Sequence, residues 1–197
     1  MEILEGTNID LISPFPMQEI KRVYGWNHCY RTLTETDDTP NGYNEFCEHM
    51  GHLLSVCPSW GIVDKNHLTN IRHEAPMVGI VIFEPVNIRH GYFHTATARG
   101  AWKTGLIDEA GKIVIDKLFT EVPTLLRVGA YMSEKNFAAK SLCKRLGFKF
   151  EGLCEDMVQR NGSPENIVYF GLTKRSWNLC QQQLQYQQSQ VLPQESL

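Results

Sequence analysis

The stretch that most constrains this chain runs from residue 124 to residue 152, TLLRVGAYMSEKNFAAKSLCKRLGFKFEG. TLLRVGAYM (124–132) is a continuous apolar run with one arginine, suited to a buried strand. An amphipathic segment at about 136–146 follows, with Ser133 as its expected cap and Glu134 and Asn136 early in the turn. It stops at Leu146-Gly147-Phe148, and the chain turns at once into the extended FKFEG. On its own the segment reads as an amphipathic helix on a core. Its place between a buried strand and another strand makes the fold α/β.

The neighbouring segments extend that pattern. EILEGTNIDLI reads as one strand, broken by Pro14 and Pro16. Met17 to about Leu33 has helical apolar spacing at Ile20, Val23 and Tyr24, and YNEFCEHMGHLLSVC reads as a second helix, stopped before Pro58. The polar loop TETDDTPNG separates the two. WGIVD (60–64), PMVGIVIFEP (76–85) and RHGYFHTAT (89–97) are short β-branched or aromatic runs bounded by Pro, Gly and Asn, and read as strands. GLIDEAGKIVIDKLF (105–119) is apolar at 106, 107, 110, 113, 114, 115 and 118, close to helical period. Two extended runs flank RNGSPEN, whose Asn-Gly marks a hairpin.

The expected architecture is one α/β domain with a mixed sheet over residues 1–177. Residues 178–197 form a glutamine-rich tail with little core-forming content, either frayed beyond its first turns or a helical docking arm. In such sheets ligands bind where neighbouring strands part at their carboxyl ends, and the candidate parting strands are 89–97 and 124–132.

The 197 residues, 42% apolar, are enough for one well-buried core and short for two. A net charge of -3 supplies no global drive toward nucleic acid or acidic membranes. No apolar run is long enough to span a bilayer, and the acidic start MEILEGTNID lacks the marks of a secretory signal. The six cysteines show no CxxC pair and read as reduced thiols, so the expected compartment is the cytoplasm. Cys47, His49, His52 and Cys57 match no usual zinc spacing, and no metal is expected.

Three segments together resemble the GNAT superfamily of acetyl-CoA-dependent N-acetyltransferases. The nearest branch is the one with ribosomal-protein N-terminal acetyltransferases and phage relatives. RVGAYMSEKNFAAKSLCKRLGFKFEG has the family's strand, its Asn, and the Leu-Gly-Phe stop; GLIDEAGKIVIDKLF is similar to the central helix; DMVQRNGSPENIVYFGLTKRSW is similar to the last hairpin. The resemblance covers roughly residues 60–177. It implies a mixed, mostly antiparallel sheet with flanking helices and a splayed pair of parallel strands. It also implies acetyl-CoA as co-substrate and an amine acceptor, either a small molecule, a protein N-terminus or a lysine. A homodimer is a further expectation. A non-catalytic binding or assembly protein on the same scaffold, of phage origin, is the alternative.

The resemblance also assigns positions. The family's phosphate loop, usually Arg/Gln-x-x-Gly-x-Gly/Ala, falls on ARGAWKTGLID, with Gly105 as the glycine that lets backbone N–H groups approach a pyrophosphate. Trp102 then stands in the Arg/Gln place and Ile107 in the small-residue place, and the loop is about three residues longer than usual. The implied cofactor contacts are Thr95, Ala96, Arg99, Trp102, Lys103, Thr104, Gly105, Leu106 and Asn136. A backbone N–H near His94 to Ala96 is the expected polariser of the thioester. His90, Tyr92 and His94 alternate onto one strand face, so His94 and His90 are candidate bases, with Glu84 as another. Cys143 stands where many relatives carry a proton-donating tyrosine, and is either that donor or a small buried hydrophobe. Tyr131 is a substitute donor if its hydroxyl reaches the cleft.

Overall fold

The computed structural model describes residues 1–28, 42–66 and 77–191. The expected loop at 34–41 and the end of the first expected helix lie outside the described residues. Among the described residues there are eight strands: β1 (Glu2–Glu5), β2 (Ile9–Ser13), β3 (Ser59–Asp64), β4 (Met77–Asn87), β5 (His90–Thr97), β6 (Arg127–Ser133), β7 (Lys149–Arg160) and β8 (Ser163–Thr173). The helices described are α1 (Ile20–His28), α2 (Tyr43–Val56), α3 (Leu106–Glu121), α4 (Phe137–Arg145) and α5 (Lys174–Val191). The strands make one sheet in the order β1-β2-β3-β4-β5-β6-β8-β7, antiparallel throughout except between β5 and β6.

Both faces of the central strands are covered, which is why β4 reads as an unbroken apolar run. Ile80 and Ile82 face α1 and α2, packing with Ile20, Val23, Phe46 and Met50. Val81 and Phe83 face the other way, into a cluster with Ala110, Val114 and Leu118 of α3 and Leu142 of α4. On that second face β6 contributes Val128, Ala130 and Met132, and β8 contributes Val168, Phe170 and Leu172. Among the described residues no helix is long and apolar enough to cross a membrane.

Three local readings change. EILEGTNIDLI is not one strand but two, paired antiparallel from Glu2↔Ser13 to Glu5↔Asp10. The turn between them is held by Glu109 of α3, whose carboxylate accepts from the backbone N–H groups of Thr7 and Asn8. A Cβ at Gly6 would lie 2.5 Å from that carboxylate, so the approach depends on glycine. The cap of α4 is Asn136, not Ser133: its side chain accepts from Ala139 N at 3.1 Å. The glutamine-rich segment is helical to Val191. Thr173 and Ser176 cap that helix reciprocally, Ser176 N donating to Thr173 Oγ1 at 3.1 Å and Thr173 N to Ser176 Oγ at 3.2 Å. Trp177, 5% exposed, anchors it by donating Nε1–H to Asp116. The β7–β8 hairpin turns at Asn161-Gly162, both at positive φ (53° and 69°), as a two-residue hairpin requires.

Candidate active site

β5 and β6 run side by side for three residue pairs only, His90↔Arg127, Gly91↔Val128 and Tyr92↔Gly129. Beyond Tyr92 the two strands part, while β5 stays paired with β4 and β6 with β8. An opening therefore lies between residues 93–97 of β5 and 130–133 of β6. Ala98 N donates to Val78 O at 2.8 Å, and the register with β4 is unbroken from Thr97 back to Gly91. In an antiparallel ladder hydrogen-bonding direction alternates, so the N–H groups of His94 and Ala96 point to β4. Those of Phe93, Thr95 and Thr97 point into the opening. Within the expected span of His94 to Ala96, Thr95 is the residue whose N–H is aimed there.

Each parting strand is followed by a helix whose N-terminus comes next in the chain. After β5, Arg99–Ala101 form a short 3-10 turn, Lys103 adopts a positive φ of 63°, and Gly105 caps α3 at a φ of 84°. Thr104 Oγ1 donates to Ala101 O at 2.8 Å, holding the turn closed. Gly105 is left-handed, a conformation in which side chains are strained, and a Cβ there would meet nothing within 4 Å. The space beside the helix start is thus open and its backbone accessible. Arg99, Trp102, Lys103 and Thr104 are exposed around it. Leu106 is not: its side chain is in the core, and only its backbone belongs to the loop. After β6, Asn136 spends its side-chain oxygen on the α4 cap and keeps its amide donors for another partner. A strand edge with an outward N–H, an uncovered helix start and two flanking cations fit the acyl-thioester and pyrophosphate parts of an acyl-CoA.

The α1/α2 face of the opening carries the titratable groups. His94 Nε2 lies 2.8 Å from Glu84 Oε2, both partly exposed. Tyr131, on β6, leans across to β5: its ring centroid is 5.0 Å from Tyr92 and 5.6 Å from His94, both edge-on. Tyr169 adjoins it at 6.0 Å. The Tyr131 hydroxyl is pushed above its ordinary value by burial first and then by the Glu84 carboxylate. It stays protonated at neutral pH, with its ring edge-on to His94.

Two candidates are not brought there. His90 lies where β5 and β6 are still paired, about 13 Å back along the strand from His94 at ~3.3 Å per residue. It meets Tyr92 edge-on at 4.9 Å, and burial, reinforced by the Arg127 charge, lowers its proton affinity. Cys143 is 6% exposed in the α3–α4 core, where burial pushes its thiol up to about 12. Ala96 packs against the α1/α2 cluster and its N–H points to β4, so it offers the opening no donor. Reading the sequence did not single out Tyr169 or Glu165; alternation along β8 places both on the face of Tyr131, and that was the available signal.

Comparison with known proteins accords with this geometry. Among curated proteins no sequence matches. The acetyltransferase (GNAT) domain family model matches residues 17–149. Among solved structures, the Salmonella typhimurium acetyltransferase that modifies the N-terminal serine of ribosomal protein L7/L12 superposes with a TM-score of 0.71 at 14% identity, over 87% of this chain and 99% of that one. A ribosomal L7/L12 alpha-N-protein acetyltransferase in complex with coenzyme A gives 0.70 at 14% identity, over 87% and 98%. A mutant of spermidine N-acetyltransferase from Vibrio cholerae gives 0.70 at 14%, over 88% and 98%. At such identities the superpositions speak for the fold, and the family model, spanning about two thirds of the chain, settles membership: this chain belongs to the GNAT acetyltransferase family.

Proposed function

We propose that the chain transfers the acetyl group of acetyl-CoA to a primary amine, with His94 as the base and Glu84 as the residue that orients it. Acetyl-CoA supplies the acyl group as an activated thioester and leaves as the thiol. Thr95 N–H is the donor aimed at the thioester oxygen, where a backbone dipole acts without having to reorganise. Gly105 and the first-turn N–H groups of α3 receive the pyrophosphate, helped by Arg99 and Lys103. Asn136 offers its amide to the pantetheine arm from the α4 side.

An amine reaches the site as an ammonium and must lose a proton before it can attack. Glu84 accepts from one ring nitrogen of His94 and so leaves the other free to take that proton. Tyr131 closes the opening on the acceptor side with its ring edge-on to His94, and is the substitute for the tyrosine that Cys143 replaces. The single observation behind this reading is the 2.8 Å His94–Glu84 contact on the edge of the opening. The acceptor is a small molecule, a protein N-terminus or a lysine, entering from the α1/α2 face. A reducing cytoplasm suits the free thiols of Cys47, Cys57, Cys143, Cys154 and Cys180. The test is a thermal shift with acetyl-CoA: binding to the folded state alone raises stability by about 2.7 kcal/mol at a hundredfold excess over Kd. No shift at millimolar acetyl-CoA would remove the proposal.

A further inference from the structure

Glu165 is the most buried carboxylate among the described residues, 4% exposed on β8. It has no place in the chemistry above, yet its surroundings are specific. Ser133 Oγ donates to its Oε1, and Arg160 Nε donates to its Oε2 at 2.8 Å. Lys135 Nζ approaches the same oxygen at 3.8 Å. Burial alone would push this carboxyl up, but the bonds from Ser133 and Arg160, with the arginine's charge, hold it below its ordinary value.

The partners lie at a sensitive place. Ser133 ends β6, and its hydroxyl also accepts from Lys135 N at 3.1 Å. Asn136 N then donates to Ser133 O at 2.9 Å, and Asn136 caps α4. One residue on, Asn166 repeats the grip: Glu134 N donates to Asn166 O at 2.9 Å, and Asn166 Nδ2 donates to Glu134 Oε2 at 3.0 Å. The turn from β6 into α4 is therefore tied at consecutive positions to β8. A buried carboxylate is costly to desolvate, and here that cost is met by donors that all belong to this turn or to the neighbouring strand.

We propose that Glu165 is a positioning residue for the cofactor side of the site: through Ser133 it sets the β6–α4 turn, and through the turn it sets the direction of the Asn136 amide and the start of α4. This rests on the reading that Asn136 faces acetyl-CoA. Charge on Glu165 matters because both the hydroxyl and the guanidinium donate to it, and a carboxamide cannot accept both with equal strength.

The experiment compares acetyl-CoA affinity and turnover in wild type, Glu165→Gln, Ser133→Ala and Ser133→Thr. Glu151→Gln, which breaks the ion pair with Arg127 away from this turn, serves as the control for general destabilisation. Glu165→Gln and Ser133→Ala are expected to weaken acetyl-CoA binding roughly ten-fold, the scale of a sub-ångström misplacement of a binding group. At saturating acetyl-CoA, kcat should stay within about two-fold, since the groups on the α1/α2 face are untouched. Ser133→Thr keeps the hydroxyl and should recover most of the affinity. If Glu165→Gln and Ser133→Ala lower the melting temperature but bind acetyl-CoA like wild type, Glu165 is a structural clamp only and the proposal is wrong. Should Glu165→Gln fail to fold, the Ser133 pair decides: Ala and Thr behaving alike contradicts it, and Thr alone retaining affinity supports it. A wild-type chain that acetyl-CoA does not stabilise would overturn the functional reading and this inference with it.

Discussion

Glu84 and His94 meet at 2.8 Å although they are not cross-strand partners: Glu84 sits opposite Tyr92, and His94 opposite Ile82. The contact is the diagonal one, two residues along the strand, and it brings the carboxylate to the edge where β5 leaves β6. If this pair is the base, replacing His94 by alanine or Glu84 by glutamine should lower kcat/KM by about a hundred-fold or more with acetyl-CoA affinity unchanged. His90→Ala, distant from the opening, should keep the wild-type kcat/KM.

Gly105 carries the loop's left-handed turn. Gly105→Val forces a β-branched residue into φ 84°, a strain of about 1–2 kcal/mol, and covers the open helix start with a side chain. Acetyl-CoA should no longer shift the melting temperature of that variant. Retained binding would mean that the phosphates lie elsewhere on the loop.

Tyr131 separates ring from hydroxyl. Tyr131→Ala removes the edge-on contacts with Tyr92 and His94 and should raise KM for the amine while disturbing His94. Tyr131→Phe keeps those contacts. A kcat loss in Tyr131→Phe of about ten-fold or more would assign the hydroxyl to proton donation, as proposed here; wild-type kcat would leave only the ring.

Acid should expose the Glu165 contribution to stability. Its carboxyl is held below the ordinary value in the fold, so the folded state binds protons less readily than the unfolded chain. The stabilisation is complete above the unfolded value of about 4.3 and is lost as pH falls through the lower folded value. Denaturant titrations of wild type and Glu165→Gln should therefore differ most near neutrality and converge at low pH.

The C-terminal helix was the part of the fold least visible in the sequence. Glutamine-rich composition spoke for a loose tail, and what opposed it was local: a Thr173-Lys-Arg-Ser176 cap and one buried tryptophan. Trp177→Ala should cost about 3–5 kcal/mol and Thr173→Ala about 1 kcal/mol, measured by denaturant unfolding. The elements with strong periodicity or turn chemistry, β4, α3, α4 and the Asn161-Gly162 hairpin, were legible because local preference and tertiary packing agree there. Gly6 was not, because its reason is a carboxylate more than a hundred residues away. The site was legible in part. Alternation put His94 on a common face with Tyr92, but it put His90 there equally well, and only the parting of β5 from β6 separates them. The burial of Cys143 is a tertiary property that its helical position alone does not show.

The central claim is that the opening between β5 and β6 binds acetyl-CoA and that the Glu84–His94 pair deprotonates the amine. The most direct measurement is free-thiol release from acetyl-CoA with an amine panel of peptides with free N-termini, lysine side chains and polyamines, for wild type, His94→Ala and Glu84→Gln. Wild type should release thiol in an amine-dependent way with at least one class, and both variants should do so about a hundred-fold more slowly while their acetyl-CoA thermal shifts stay at the wild-type value. Undiminished turnover in both variants would contradict the assignment of the base, and wild type that neither binds acetyl-CoA nor releases thiol would contradict the account as a whole.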